Sequence, residues 1–249
     1  GFDPISVLNP GLTVIAIMIW PVATELIFRS AWKTLAVVGV VLVSLLAIST
    51  AGSAALAMLF GTIGYLAAAI WPRPLKYLVT IVLFVGIVSA PFIVPRVSTE
   101  PSFMKMTEGL PVSVRHRLYI WDFVAENVLS RPLLGWGLMS SRAIPGGTEK
   151  PPVGYAYLPL HPHHAGLQIW LELGFVGAIL AGVIVLMAVI RARWRRLTRL
   201  RASVLAGTIL SLTTLAFTAY STWQSWWVAV VWLTVGLLTS LRPDSSAEF

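Results

Sequence analysis

Residues 167–190 read LQIWLELGFVGAILAGVIVLMAVI, a run in which Glu172 is the sole charged side chain. About twenty apolar residues cross the hydrocarbon core of a bilayer. Lipid gives the backbone no hydrogen-bond partner, so such a run must pair its own amides and carbonyls as a helix. Six more runs have the same character: Leu12–Phe28, Leu35–Ser49, Ala54–Ile70, Tyr77–Val94, Val204–Tyr220 and Trp226–Leu241. Leu35–Ser49 is the shortest, and a re-entrant pair with Ala54–Ile70 is the alternative to a full span. The chain is 57% hydrophobic and 11% charged, with a mean hydropathy of +0.82, against about 25% charged in soluble domains. Many of its 11 tryptophans and 6 tyrosines stand at the ends of the runs, as rings anchored at headgroup level do. The expected fold class is an all-α polytopic membrane protein.

The connections set the expected orientation. Arg29 and Lys33, then Arg73 and Lys76, then the cluster Arg191, Arg193, Arg195, Arg196, Arg199 and Arg201 all fall on one side of a seven-span chain. The positive-inside rule makes that side cytoplasmic. The net charge of +8 is therefore read as membrane topology, and no nucleic-acid partner is expected. Without cysteine there is no thiolate chemistry. The organisation reads as membrane helices over 1–94, a large periplasmic loop over 95–164, three further spans over 165–241 with the arginine-rich loop at 191–201, and a cytoplasmic tail at 242–249. Gly1 opens the chain with no targeting segment, which reads as an internal start with earlier spans missing. Gly61 and Gly64 suit close helix packing.

The outward segment, Pro95–Leu160, carries seven basic and five acidic side chains. Val114–Leu129 is expected to be an amphipathic helix, with Leu118, Trp121, Ala125 and Val128 on one stripe and Arg115, Asp122 and Glu126 on another. It would lie in the membrane interface, apolar side down. Arg117 is read either as reaching lipid phosphates or as pairing locally on the helix, and Arg115 as pairing with Asp122 or Glu126. Arg131-Pro132 ends the helix. Gly135-Trp136-Gly137 makes a turn that admits close backbone approach, and Arg142 follows.

His161, His163 and His164 stand directly before the span that holds Gln168 and Glu172. An ionisable group inside a span is a functional candidate by default, and imidazole titrates near neutrality. A phosphate diester held by Arg117 and Arg142 through forked guanidinium contacts, with a histidine deprotonating a hydroxyl, is one chemistry these residues allow. A zinc site built from His161 and His163 with Glu172 or a loop carboxylate is the rival, and helix capping by the histidines is the plainer alternative. Ser49, Thr50 and Ser53 either line the same cavity or cap helices.

The ordered set Arg117-x-x-x-Trp121, Pro132-Leu-Leu-Gly135-Trp-Gly137, His163-His164, Gln168 and Glu172-Leu-Gly174-Phe-Val-Gly177 resembles the O-antigen ligase and polysaccharide polymerase superfamily. The likeness runs from about Leu35 to the last span. It implies a GT-C-like inner-membrane glycosyltransferase that moves a glycan from an undecaprenyl-diphosphate carrier to an acceptor hydroxyl, without metal or other cofactor. Implied partners are the lipid-linked glycan, a glycan or lipid-linked acceptor, membrane lipid, and polysaccharide assembly or export proteins. On this resemblance Arg117 contacts the diphosphate and His163 is the base. Candidate catalytic groups are then His163, His164 and Glu172; candidate substrate contacts are Arg117, Arg142, Arg115, Trp121, His161, Gln168 and Trp136. Two positions depart from the family. His164 stands where asparagine is frequent, and 49–53 lacks an arginine often found in that turn, which points toward an exopolysaccharide branch. The alternatives are a transporter or flippase of lipid-linked glycan, which calls for broken helices with polar groups at mid-membrane, and a non-catalytic scaffold.

Overall fold

A computed structural model describes residues 7–93, 105–150, 154–191 and 197–240. The lead-in prolines Pro95 and Pro101, the arginines Arg193, Arg195 and Arg196, and the tail at 242–249 lie outside them. Each of the seven apolar runs falls on helix: α1 (Leu8–Phe28), α2 (Trp32–Ile48), α3 (Gly52–Ile70), α4 (Pro72–Val88) with the single turn α5 (Ala90–Ile93), and then α7 (Ala165–Arg191), α8 (Arg199–Thr218) and α9 (Ser225–Ser240). Between them, α6 (Val112–Ser130) and a 3-10 turn, Ser140–Ala143, shape the long loop. Among the described residues four helices, α1, α3, α7 and α8, are long and apolar enough to cross a membrane. The other apolar helices are shorter: α2 and α4 have 17 residues each and α9 has 16.

The chain divides into two compact units, one of residues 1–79, 190–215 and 225–249, the other of residues 80–189 and 216–224. In the first, small residues let backbones meet. A Cβ on Gly61 would strike the Trp20 ring and the Ser211 hydroxyl, and one on Gly64 would strike Leu210. Lost side-chain bulk here permits close helix contact. The polar atoms this brings inside are paired: Trp20 Nε1 donates to Ser211 Oγ at 2.8 Å, and Ser211 Oγ donates to the Ala57 carbonyl at 2.9 Å. Ser49 Oγ accepts locally from Ala51 N, while Thr50 Oγ1 accepts from the Asn9 side-chain amide, 41 residues away in sequence.

The second unit has its core where α6 meets the first half of α7. Ile120, Val124 and Val128, one α-turn apart, pack with Leu167, Trp170 and Leu171, and Ile144 and Leu158 close the cluster. Of the expected stripe on α6, Ala125 and Val128 are buried and Trp121 packs against this cluster, and the buried face widens to take in Ile120 and Val124. The correction is on the charged side, where Asp122 is 3% exposed instead of solvated. Helical period alone ranks apolarity; it does not know that the long loop covers this helix from a second side. Arg115 Nε is buried with no hydrogen-bond partner.

Candidate active site at the head of a broken helix

The helix α7 is interrupted nine residues from its start. Gly174 has φ 66° and ψ −162°, outside helical space. In an unbroken helix Phe175 N–H would bond the Leu171 carbonyl, and Val176 N–H the Glu172 carbonyl. Here all four groups pair with the loop that follows α6. Trp136 N donates to Leu171 O at 2.8 Å and Gly137 N to Glu172 O at 2.9 Å, while Phe175 N donates to Pro132 O at 2.8 Å and Val176 N to Leu133 O at 3.2 Å. The two backbones touch. A Cβ on Gly135 would fall 2.6 Å from the Glu172 carbonyl carbon, and one on Gly174 would collide with the Leu133 carbonyl. With φ of 69° and 66°, both positions require glycine on conformational grounds as well. The Pro132–Gly137 and Glu172–Gly177 motifs are thus two halves of one interlocked element.

Glu172, 0% exposed, is held at this break by four donors. Ser141 Oγ (2.5 Å) and Gln168 Nε2 (3.1 Å) donate to Oε1; Met139 N (2.7 Å) and Trp223 Nε1 (2.6 Å) donate to Oε2. A buried carboxylate is tolerated when its lone pairs are filled in this way. Gln168, also buried, extends the network: Nε2 donates to Ser221 Oγ at 2.9 Å, and Oε1 accepts from Thr222 N at 3.0 Å. One turn of helix so ties 139–141 to 221–223. A cleft of about 300 Å³ lies beside it, lined among others by Arg142, His161, Gln168, Ser221, Trp223 and Gln224.

The three histidines have three different settings. His164 Nδ1 accepts from Leu167 N at 3.2 Å, an N-cap contact, and its ring lies between Trp121 and Phe217 with centroids at 5.3 and 4.7 Å. His163 takes a left-handed backbone, φ 55°, and its Nδ1–H donates to the Ala219 carbonyl at 2.5 Å. A carbonyl can only accept, so the neutral ring carries its proton on Nδ1 and its free lone pair on Nε2. His161 lies against His163, centroids 4.2 Å apart, and its Nδ1 accepts from His163 N at 3.2 Å. Burial pushes His161 down to about 3, helped by His163, Arg142 and Arg117. Burial also pushes His163 down to about 4, opposed by the Ala219 bond and assisted by Arg117 and His116. His164 is likewise lowered to about 4 by burial. All three are neutral at pH 7.

Arg117 is half-buried, and burial depresses its guanidinium while Tyr220 opposes the shift. It forms no ion pair among the described residues. Arg142 is exposed on the cleft lining. The two tryptophans serve as struts: Trp121 Nε1 donates to the Pro162 carbonyl at 2.8 Å, and Trp136 Nε1 to the Asn127 carbonyl at 2.9 Å, with the Arg131 guanidinium 4.1 Å from the Trp136 ring centre. Among the described residues no three His, Asp or Glu side chains converge as metal ligands, and the Glu172 oxygens are already filled. The broken helix that a transporter calls for is present, but its freed backbone groups are paired with the loop. Sequence reasoning missed Ser141, Ser221, Thr222, Trp223 and the Ala219 carbonyl. The signal was the polar run at 220–225, between two apolar runs and on the same side as the long loop by span count.

An all-α chain with several helices able to cross a membrane, and with a long loop folded onto the head of one of them, defines a polytopic membrane protein with a polar site at a helix end. Residues 37–182 match the O-antigen ligase family, and the chain belongs to that family. It is 29% identical over 244 residues to a protein of Rickettsia prowazekii and 28% identical over 243 residues to one of Rickettsia typhi, both bearing the name "putative polysaccharide ligase". Each match covers 95% of this chain and 59% of the relative, so the chain spans about three-fifths of their length. No solved structure matches.

Proposed function

We propose that this chain carries the transfer site of a GT-C-like enzyme that moves a glycan from an undecaprenyl-diphosphate carrier to an acceptor hydroxyl, in assembly of a surface polysaccharide. The observation that carries the reading is His163: a neutral imidazole whose tautomer is set by the Ala219 carbonyl, close enough to Arg117 and Arg142 for their charges to act on the histidine pair. His163 Nε2 takes the proton of the acceptor hydroxyl. The oxygen bonds to the anomeric carbon, the bond from that carbon to the diphosphate oxygen breaks, and the diphosphate leaves with its charge held by Arg117 and Arg142. An imidazole near 4 in the empty site is a weak base. A bound diphosphate dianion beside it favours the imidazolium and raises its proton affinity toward the working pH. His161 and the cap His164 orient the base, and Glu172 with Gln168 hold the cleft walls together. The long loop and the 220–225 turn face the periplasm, and the C-terminus the cytoplasm, of a bacterial inner membrane. Assembly or export proteins are its further partners.

The test is transfer from radiolabelled polyprenyl-diphosphate glycan by the reconstituted full-length protein. His163→Ala should lose about 10²–10⁴-fold in turnover with donor binding retained. Arg117→Ala should chiefly weaken donor binding, and EDTA should leave turnover intact. Full activity in the His163 variant removes the base assignment.

A further inference from the structure

We infer that the loop following α6, residues 132–139, is a re-entrant segment that dips into the outer leaflet and faces acyl chains, a property independent of which reaction the site performs. The chain order alone would place this loop in water. Yet Leu133 is 66% exposed, Leu134 74%, Leu138 60% and Met139 71%, four large apolar side chains in one short stretch. In water such a cluster would be a liability.

Depth follows from the hydrogen bonds. The loop is tied through its backbone to Leu171, Glu172, Phe175 and Val176 of α7, and α7 is the most apolar of the four helices long enough to cross a membrane among the described residues. The opposite end of α7 is marked by polar anchors: Arg191 closes it, and Lys76 Nζ donates to the Ile190 carbonyl at 2.9 Å. From Ile190 to Val176 is fourteen residues, about 21 Å at 1.5 Å per residue, and tilt shortens it further. A hydrocarbon core is about 30 Å thick. Leu133, bonded to Val176, therefore lies within the core, near its outer edge. Phe175, Val176 and Leu180 expose their own side chains there, at 44%, 46% and 58%, so apolar surface continues from helix to loop. Irregular backbone is allowed at this depth where its polar groups are paired with protein; the interlock with α7 pairs the Pro132 and Leu133 carbonyls and the Trp136 and Gly137 N–H groups, and Gly135 N–H donates to the Arg131 carbonyl. Arg131, stacked on Trp136, stands at the point where the loop enters, a cation and an indole suited to the headgroup layer.

The chain contains no cysteine, so single cysteines report without background. A nitroxide label at each of positions 133, 134, 138, 142 and 148, in nanodiscs of phosphatidylethanolamine and phosphatidylglycerol, gives depth through collision with oxygen against a water-soluble nickel chelate. The expected result is oxygen-dominated relaxation at 133 and 134, an intermediate ratio at 138, and nickel-dominated relaxation at 142 and 148. Nickel access at 133 and 134 equal to that at 142 overturns the inference. So does shielding of 133 and 134 from both reagents, which would mean that protein covers the loop. Leu134→Ser labelled at 133 checks that the depth does not depend on one neighbour; the same oxygen-dominated ratio supports insertion, and a shift to nickel counts against it. None of these readings uses transfer activity, so loss of the glycan-transfer proposal would leave the depth result standing, and the reverse.

Discussion

Replacing Glu172 by glutamine preserves shape and removes only charge and acceptor capacity, which makes it the sharpest probe of the network at the break in α7. The carboxylate accepts four bonds, two on each oxygen. An amide offers one accepting oxygen and one NH₂ donor. The Oε2 edge faces Met139 N–H and Trp223 Nε1–H, neither of which can turn to accept, so the amide oxygen must sit there. Its NH₂ then faces Ser141, whose hydroxyl can rotate to accept, and Gln168 Nε2, which cannot without breaking its bonds to Ser221 and Thr222. One charge-assisted bond becomes a donor–donor contact, costing about 1.5–3 kcal/mol, and two or three others fall to neutral strength, costing about 0.5–1 kcal/mol each. Relief from burying a charge offsets part of this. The net expectation is about 2–4 kcal/mol of destabilisation. Equilibrium unfolding in detergent micelles, followed by tryptophan emission, measures it. A loss under about 1 kcal/mol would refute the four-donor account. An unchanged stability with turnover abolished would move Glu172 from positioning the cleft to taking part in the chemistry, as its sequence position first suggested.

The remaining predictions are simpler. Gly174→Ala and Gly135→Ala each place a Cβ into neighbouring backbone at positive φ and should cost at least about 2–4 kcal/mol. Gly146→Ala, φ 79° with the Phe123 ring at 3.5 Å and Glu149 Oε1 at 3.9 Å, both ordinary contacts, should cost about 1 kcal/mol; equal losses in the same unfolding assay would sink the interlock. His163 and His164 have folded pKa values near 4, below the 6.5 of the unfolded chain. Their stabilisation is complete above pH 6.5, falls as pH drops from 6.5 to 4 because only the opened chain takes up protons, and is lost below. At pH 5 that is about 1–2 kcal/mol per imidazole. Hydrogen exchange at 163–168 should accelerate across that window, and a flat profile would refute the buried neutral state.

Much of this protein was legible in its residues one run at a time. Lipid admits few backbone solutions, so uninterrupted apolar runs had to be helices, and each of the seven is. The end of α6 at Arg131-Pro132 was equally local, since a residue before proline resists the helical conformation. What stayed hidden needed contacts distant in sequence. Nothing in the order of residues says that Ser221 and Trp223 meet Gln168 and Glu172, or that Asp122 faces inward, because a helical period records apolarity and not the identity of the partner. The glycine motifs show the division clearly. Their spacing could be read from the chain, but the reason for each glycine is the other motif's backbone, about forty residues away. That relation exists only once the loop has closed on the helix.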